Sequence, residues 1–145
     1  MTEAASRMMP GHLIRRLHQR STQVFATAMA EAGEDLTPVQ FAIIDHLAHR
    51  SGLDQATLAR SIGKDRATVG SVAERLERKG LIARTANEAD KRAILLDLTP
   101  RGAELHRRIA PRVARVQTEI LPGLTDEQRA TFIALAAHAL SAAED

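Results

Sequence analysis

Apolar and polar positions change their period once within the stretch from Asp54 to Gly102. Up to Gly80, apolar residues recur three or four positions apart, which predicts two short helices that cross at an angle. Asp54 and Asp65 are suitable N-cap residues for these helices, and Gly63 permits a tight turn between them. The second predicted helix carries one apolar stripe, formed by Val69, Val72, Ala73 and Leu76.

Beyond Gly80 the pattern becomes that of an extended chain. Residues 81–83 and 94–98 predict two short strands, and the segment between them, TANEADKR, is rich in turn formers and charge. A charged hairpin that follows two crossing helices is typical of a winged helix-turn-helix. We therefore predict a mostly α-helical fold with a small β-hairpin wing, in which residues 37–100 form the DNA-binding region.

Helical patterns flank this region on both sides, at residues 10–33 and residues 101–143. Further helix starts are marked by a capping threonine, at Thr37, Thr99 and Thr125. Pro111 is expected to bend the helix that follows the wing. A compact winged domain does not need the flanking helices, so their apolar faces predict burial on a second copy in a two-fold homodimer. The alternative is a helical bundle within one chain.

The face opposite the apolar stripe is the predicted DNA-reading surface of the second short helix. The N-terminal part of such a helix contacts base edges in the major groove, which favours Thr68 and Ser71 as base readers. Lys64 and Arg66 suit phosphate contacts, and Gly70 is expected to allow close approach to double-stranded DNA.

The predicted hairpin tip carries Lys91 and Arg92, which suit an adjacent minor groove because its negative potential attracts arginine. Asp90 is expected to hold Arg92 or Arg75 in position. The complete set of predicted DNA contacts is Lys64, Arg66, Thr68, Gly70, Ser71, Arg75, Arg78, Lys91 and Arg92.

Several of these residues occur in a combination that is specific to a known family. They are Leu58-Ala59, Glu74-Arg75-Leu76-Glu77, Lys79-Gly80-Leu81-Ile82, Arg84, Asp90-Lys91-Arg92 and Leu98-Thr99-Pro100-Arg101-Gly102. In this combination the chain resembles the multiple-antibiotic-resistance regulator (MarR) family of bacterial transcription factors over nearly its whole length. The resemblance implies a homodimer that binds a pseudo-palindromic operator, usually as a repressor released by a ligand. The chain departs from it at Ser71, where the family often carries a larger basic or polar residue.

Composition narrows the classes of function. The chain has 145 residues, enough for one domain with a core, and a formal net charge of +2. The basic excess lies in residues 51–102, which hold ten Lys or Arg against seven acidic residues. The chain contains no cysteine, which excludes disulfides and thiol redox sensing. No signal peptide or membrane-spanning run is apparent, so a cytoplasmic location without a membrane partner is expected.

The motifs of enzymes are not apparent in the sequence. It shows no nucleophile–base constellation and no glycine-rich phosphate loop, so neither catalysis nor a cofactor is expected. The remaining alternative is a winged-helix protein-interaction module that does not bind DNA, and the cations Lys91 and Arg92 argue against it.

The segment PGHLIRR from Pro10 to Arg16, with His18, is similar to the branch of the family that responds to small aromatic acids. Arg15 or Arg16 would pair with a carboxylate, and His12 or His18 would hydrogen-bond a ring substituent. The apolar walls of such a site would come from Met8, Phe25 and Phe41. The alternatives are surface ion pairs for the arginines, interface packing for His18, and another small molecule or a metal as the signal.

His46 and His49 lie three positions apart near the end of a predicted helix, a spacing that suits zinc. The sequence shows no third ligand, so no metal site is predicted. The alternative role of these imidazoles is a favourable interaction with the C-terminal end of the helix dipole.

Overall fold

The computed structural model describes residues 4–144, which form six α-helices and a small antiparallel sheet. The helices are α1 (Pro10–Glu31), α2 (Pro38–His49), α3 (Gln55–Ile62), α4 (Arg66–Arg78), α5 (Pro100–Val116) and α6 (Asp126–Glu144). The strands are β1 (Leu53–Asp54), β2 (Ile82–Ala86) and β3 (Ile94–Leu98). Short 3₁₀ turns precede α1 (Ala5–Met8) and follow α5 (Gln117–Ile120). The prediction of a mostly helical winged fold is confirmed.

Side-chain caps start the two helices of the helix-turn-helix. Asp54 Oδ1 accepts a hydrogen bond from Thr57 N at 2.7 Å, and Asp65 Oδ2 accepts one from Thr68 N at 2.9 Å. Gly63 ends α3 with a φ of 70°, a conformation that disfavours a side chain. Both predicted N-caps and the predicted turn are confirmed. The predicted capping threonines also accept hydrogen bonds from the backbone three residues on, at Thr37, Thr99 and Thr125.

The sheet has the strand order β1-β3-β2, so the hairpin of β2 and β3 gains a third strand before α3. Leu53 pairs with Leu96 and Asp54 with Leu95. β1 was not predicted, because two residues carry no detectable period and their pairing partners lie about forty positions away. The third strand anchors the base of the wing to the helix-turn-helix.

The first wing strand begins one residue later and ends three residues later than predicted. Leu81 N donates to Leu76 O at 3.0 Å, so Leu81 still belongs to the turn that closes α4. Thr85 and Ala86 were predicted to lie in the tip, but they pair with Leu95 and Ile94. The strands of the wing are therefore five residues each, and its tip is shorter than predicted.

The core surrounds α2, as its apolar sequence predicts. Ile43, Ile44 and Leu47 of α2 are buried. They join one cluster with residues of α1, α3, α4, β3 and α5, including Met29, Leu58, Val69, Ala73, Leu76, Leu96 and Ile109. The predicted apolar stripe of α4 lies in this cluster, with Val72 half-buried at its edge. Burial of the stripe leaves the opposite face of α4 in solvent.

The segment that links the wing to α5 is very short. Thr99 is the only residue between β3 and α5, and its hydroxyl donates to Gly80 O at 2.6 Å. Thr99 N also donates to Leu81 O at 3.1 Å. A Cβ on Gly102 would overlap that same Leu81 carbonyl, so only glycine permits the first turn of α5 to pack here.

Pro111 lies inside α5, and the α-helix continues on both sides of it to Val116. The chain then changes to the 3₁₀ turn at Gln117–Ile120. Arg20 of α1 donates to Glu119 O at 2.7 Å, which attaches α1 to this turn. α1 and the end of α5 are thus joined within one chain.

Large apolar side chains remain exposed at the two ends of the chain. α6 contains no buried residue. The exposed apolar side chains of α1 and α6 are Leu13, Ile14, Phe132, Ile133, Leu135 and Leu140. Among residues 4–144, no helix combines the length and apolar character needed to cross a membrane.

Candidate nucleic-acid interface

The exposed face of α4 holds most of the predicted DNA contacts. Because Val69, Ala73 and Leu76 are buried, the residues on the opposite side point away from the core. The exposed polar and charged residues at and around this helix are Lys64, Arg66, Thr68, Ser71, Glu74, Arg75 and Arg78. Side chains must be exposed in this way if a helix is to contact base edges and phosphates in a DNA groove.

Thr68 and Ser71 differ in how their hydroxyl groups are used. Thr68 Oγ1 donates to Asp65 Oδ1 at 2.6 Å, and this bond, with the one from Thr68 N, holds the pKa of Asp65 below its usual range. Within residues 4–144, the Ser71 hydroxyl makes no hydrogen bond to the protein. The Ser71 hydroxyl can therefore donate to a base edge, whereas the Thr68 hydroxyl proton is already bound at the start of α4. The assignment of both residues as base readers stays a prediction.

Gly70 is half-buried and faces α3. A Cβ at this position would lie 2.9 Å from Nε2 of Gln55, a residue of α3. Because that atom is the end of a flexible side chain, it can shift, and packing of α3 against α4 does not by itself require glycine here. The predicted approach of Gly70 to DNA stays a prediction.

The wing tip is ordered by acidic and amide side chains. Asp90 Oδ1 accepts from Arg92 N at 3.1 Å and lies 3.4 Å from Arg92 Nε. Of the two partners predicted for Asp90, the structure shows Arg92 and not Arg75. Asn87 Oδ1 accepts from Ala89 N at 2.9 Å on the other side of the turn. Lys91 is exposed beside Arg92, whose side chain is 94% exposed.

A cleft between the helix-turn-helix and the wing collects three arginines. Arg66 and Arg92, both predicted DNA contacts, line it together with Arg60 of α3. The cleft has a volume of about 360 Å³. Sequence reasoning missed Arg60, although its position on the exposed side of the first short helix was a usable signal.

Arg84 connects the wing to α4 by charge. Its Nη1 lies 3.6 Å from Glu74 Oε1 and 3.9 Å from Glu77 Oε1. The sequence predicts no role for Arg84 beyond its place in the family resemblance. Two acidic residues on a helix that is predicted to bind DNA were the available signal, because their charges oppose DNA binding unless a cation pairs with them.

The residues predicted to bind the effector lie at separate sites in the structure. Arg15 Nη2 lies 3.0 Å from His12 Nδ1, so these two side chains are paired. Arg16 lines a different groove on α1, with Leu13 and Gln23. Met8 is 79% exposed.

His18 is exposed on α1, whereas the predicted aromatic walls lie together further along the chain. The rings of Phe25 and Phe41 are 6.0 Å apart, and Phe41 stacks with His106 at 6.3 Å. Arg15 and Phe25 are ten residues apart on one helix, which at 1.5 Å per residue places them about 15 Å apart along the axis. One small acid cannot contact both within a single chain.

His46 and His49 do not form a pair of ligands. His46 Nδ1 lies 2.8 Å from Ala42 O, and His49 Nδ1 lies 2.7 Å from Asp45 O. His49 instead lies beside Asp45 and His106, a residue of α5 that the sequence analysis did not connect with it. A side chain that could bind a metal together with His49 thus comes from a distant part of the chain.

Comparisons with known proteins agree with this geometry. The MarR family model matches residues 34–93. A transcriptional regulatory protein assigned to the hcr operon of Thauera aromatica is 34% identical over 102 residues, a match that covers 70% of this chain. The same match spans 61% of that relative, less than two thirds of its length.

Two solved structures are similar over almost the whole chain. The transcriptional regulator PcaV of Streptomyces coelicolor, in complex with its natural ligand, is 34% identical with a TM-score of 0.88. BpsR of Bordetella bronchiseptica, whose DNA binding is regulated by 6-hydroxynicotinic acid, is 28% identical with a TM-score of 0.86, and the match covers 95% of this chain and 96% of BpsR. Because the PcaV match covers 99% of both chains and the family model matches the helix-turn-helix with the first strand and tip of the wing, the chain belongs to the MarR family of transcriptional regulators.

Proposed function

We propose that the protein is a homodimeric repressor that binds a pseudo-palindromic DNA operator and is released from it by a small aromatic acid. The observation that carries this proposal is the exposed polar face of α4 beside a wing tip with two cations, Lys91 and Arg92. In this arrangement α4 is the recognition helix and enters the major groove, while Arg92 enters the adjacent minor groove. Such a regulator acts on chromosomal DNA in the cytoplasm, and the proposal contains no catalytic step.

The cleft of Arg60, Arg66 and Arg92 supports the DNA-binding part. It joins the starts of α3 and α4 to the wing, where a DNA backbone between two grooves would run. Arginine binds phosphate through paired N–H groups, and such contacts set the register of a protein on the duplex. Arg60 is therefore added to the predicted DNA contacts.

The exposed apolar residues support the dimer. α6 buries nothing within the chain, and Phe132 lies with Leu17 and Ile120 in an apolar groove between α1 and α6. Contiguous exposed apolar surface of this kind is a mark of association. Two-fold packing of these helices would place two recognition helices on one face, for half-sites about 34–36 Å apart.

The separation of the predicted effector residues supports a site shared between two chains. The pair His12 and Arg15 lies on the half of α1 that is exposed, far along the axis from Phe25 and Phe41. In the proposed dimer, the guanidinium of one chain approaches the half-buried ring of Phe41 in its partner, because Phe25 is itself buried in the core. A carboxylate bound there would change the spacing of the two recognition helices, which is a coupling between two sites. The regulation of BpsR by 6-hydroxynicotinic acid supports this chemical class.

The experiment that tests the function is fluorescence anisotropy of the purified protein on DNA from the region upstream of its own gene. The titration is made at two salt concentrations, with and without a panel of hydroxylated aromatic acids that includes 6-hydroxynicotinic acid. We expect tight, salt-sensitive binding that one acid relieves, and a solution mass of twice the 15.8 kDa chain.

The possible failures of this experiment are distinct. Tight binding that no acid relieves would retain the repressor and reject the aromatic-acid effector. Weak binding that is equal on upstream and random DNA would reject that operator, and a genome-wide selection of bound sequences would then decide whether any operator exists. A monomer in solution would reject the dimer.

A further inference from the structure

Three metal-ligand side chains from two helices meet on one side of the protein. Asp45 and His49 lie on α2 and His106 lies on α5, and one ligand atom of each is within 4.8 Å of the others. We propose that these residues bind a divalent transition-metal cation of the Zn²⁺ type, which would join α2 to α5. This site goes beyond the proposed function and does not depend on DNA or an aromatic acid.

His106 already bonds to one of the other ligands. Its Nε2 lies 2.8 Å from Asp45 Oδ1, a contact between residues 61 positions apart in sequence. Zinc binds nitrogen and carboxylate oxygen at about 2.0–2.2 Å, so two ligand atoms of a tetrahedral site are roughly 3.3 Å apart. A cation in place of the shared proton therefore needs these atoms to separate by only about 0.5 Å.

The imidazole of His106 is held in one orientation. Its side chain is largely buried, with 17% exposed. Its ring stacks on Phe41 with an interplanar angle of 15°. A ligand whose ring is fixed by its neighbours loses little conformational freedom when the metal binds. His106 is thus a preorganised ligand.

His49 supplies the mobile ligand. Its ring lies edge-on to His106, with centroids 5.9 Å apart, and its Nδ1 is 3.7 Å from Asp45 Oδ1. The side chain is 72% exposed, so turning the ring toward the other two ligands costs only its contact with Asp45 O. The movement that brings the three ligand atoms together therefore occurs at exposed His49 and leaves the packing of His106 intact.

The ligand types select the class of cation. Two imidazoles and one carboxylate suit zinc and its neighbours in the first transition row, whereas calcium and magnesium prefer oxygen ligands. Three protein ligands leave a fourth position for water or another molecule. A surface cavity of about 390 Å³, lined by Asp45, His46, His49 and Arg50 among others, gives access from solvent. The positive charge of Arg50 repels the cation, so the affinity for the metal is lower than that of a site without this arginine.

The test is a competition titration between tag-free, metal-depleted protein and a chromophoric zinc chelator, repeated with Co²⁺ to follow its visible absorption. The test variants are His49→Gln, Asp45→Asn and His106→Gln. The matched control is His46→Gln, because His46 lines the same cavity but contacts Ala42 O and is not one of the three clustered ligands. Circular dichroism and the metal-free Tm report whether each variant is folded.

We expect one Zn²⁺ per chain, a loss of affinity of at least about tenfold in His49→Gln and Asp45→Asn, and unchanged affinity in His46→Gln. Zinc should raise the Tm of the wild type and not that of His49→Gln. Absence of zinc uptake would overturn the proposal and leave the Asp45–His106 contact as a bond between helices only. An equal loss of affinity in His46→Gln and His49→Gln would also overturn it. If His106→Gln fails to fold, exposed His49 keeps the proposal testable.

Discussion

Arg84 Nη1 on β2 lies 3.6 Å from Glu74 Oε1 on α4. The Arg84 side chain is largely buried, with 21% exposed, so the contact holds the wing against the recognition helix. The two elements are proposed to enter neighbouring grooves, and the angle between them then contributes to operator affinity. Arg84 is thus proposed to act on DNA through Glu74 without touching it.

Replacing Arg84 by Met should weaken operator binding while changing stability little. Met retains much of the apolar stem, and a pair with Glu74 at 57% exposure is worth about 1 kcal/mol or less. Among residues 4–144, Arg84 Nε is a buried donor without a partner, and its removal offsets part of that loss. Urea unfolding and anisotropy on the operator measure the two effects.

The control for Arg84 is a double-mutant cycle with Glu74→Gln. If the two residues act through their contact, the double variant should bind the operator no more weakly than Arg84→Met alone. Additive losses would show that each residue acts by itself, and the proposed role of the contact would be wrong.

Arg92→Ala should lower operator affinity and reduce the slope of log affinity against log salt by about 1, because one cation at the DNA is removed. The matched control is Arg107→Ala, since Arg107 is also exposed and paired with a nearby carboxylate, Glu104, but lies on α5. Affinity and slope are measured by anisotropy at several salt concentrations. Equal behaviour of the two variants would reject the wing contact.

Ser71→Ala should relax the preference for particular base pairs by about 1–3 kcal/mol, because it removes a free hydroxyl from the reading face. Thr68→Val should weaken binding to all sequences alike, because the Thr68 hydroxyl is bonded to Asp65 at the start of α4. Binding to a set of operators with single base-pair changes distinguishes these results. Altered discrimination in Thr68→Val together with normal discrimination in Ser71→Ala would reverse the assignment.

Arg15→Ala should leave operator affinity unchanged and abolish its relief by an aromatic acid. The guanidinium of Arg15 lies beside His12, where the two would bind a carboxylate and a ring substituent. Arg16→Ala is the matched control, because Arg16 lines a different groove on the same helix. Anisotropy with and without the acid measures the relief, and normal relief in Arg15→Ala would move the anchor elsewhere.

Gly102→Ala should destabilise the fold by about 1–3 kcal/mol or more, because its Cβ overlaps a backbone carbonyl that cannot move alone. Gly70→Ala is the comparison. Its Cβ meets the flexible end of Gln55, and the helix gains about 1 kcal/mol from alanine. Thermal and urea unfolding should therefore separate the two variants widely. Similar stabilities would show that α5 can shift away from Leu81.

The parts of the fold that depend on neighbouring residues were predictable from the sequence. Asp54 and Asp65 cap their helices through groups three positions away, and the stripe that includes Leu76 lies on one helix. Such relations follow from helical geometry alone. The same holds for the wing tip, where Asp90 binds Arg92 two residues on.

The parts that were missed depend on residues distant in sequence. β1 exists only because Leu53 pairs with Leu96. His106 meets Asp45 across 61 positions, a contact that the spacing of His46 and His49 could not reveal. The grouping of Arg15 with Phe25 ignored their separation along α1. In each case the deciding quantity was a distance that a linear pattern does not contain.

Thr99 would couple the movement of α5 to the movement of the wing. The connection is a single residue, and both its hydroxyl and its N–H bond to the turn after α4. Because this connection cannot lengthen, we expect α5 and the wing to move as one rigid body. A tilt of α5 at the dimer interface would therefore rotate the wing tip by a similar angle, because no flexible segment lies between them. A modest change where the effector is proposed to bind would thus become a larger displacement at the DNA.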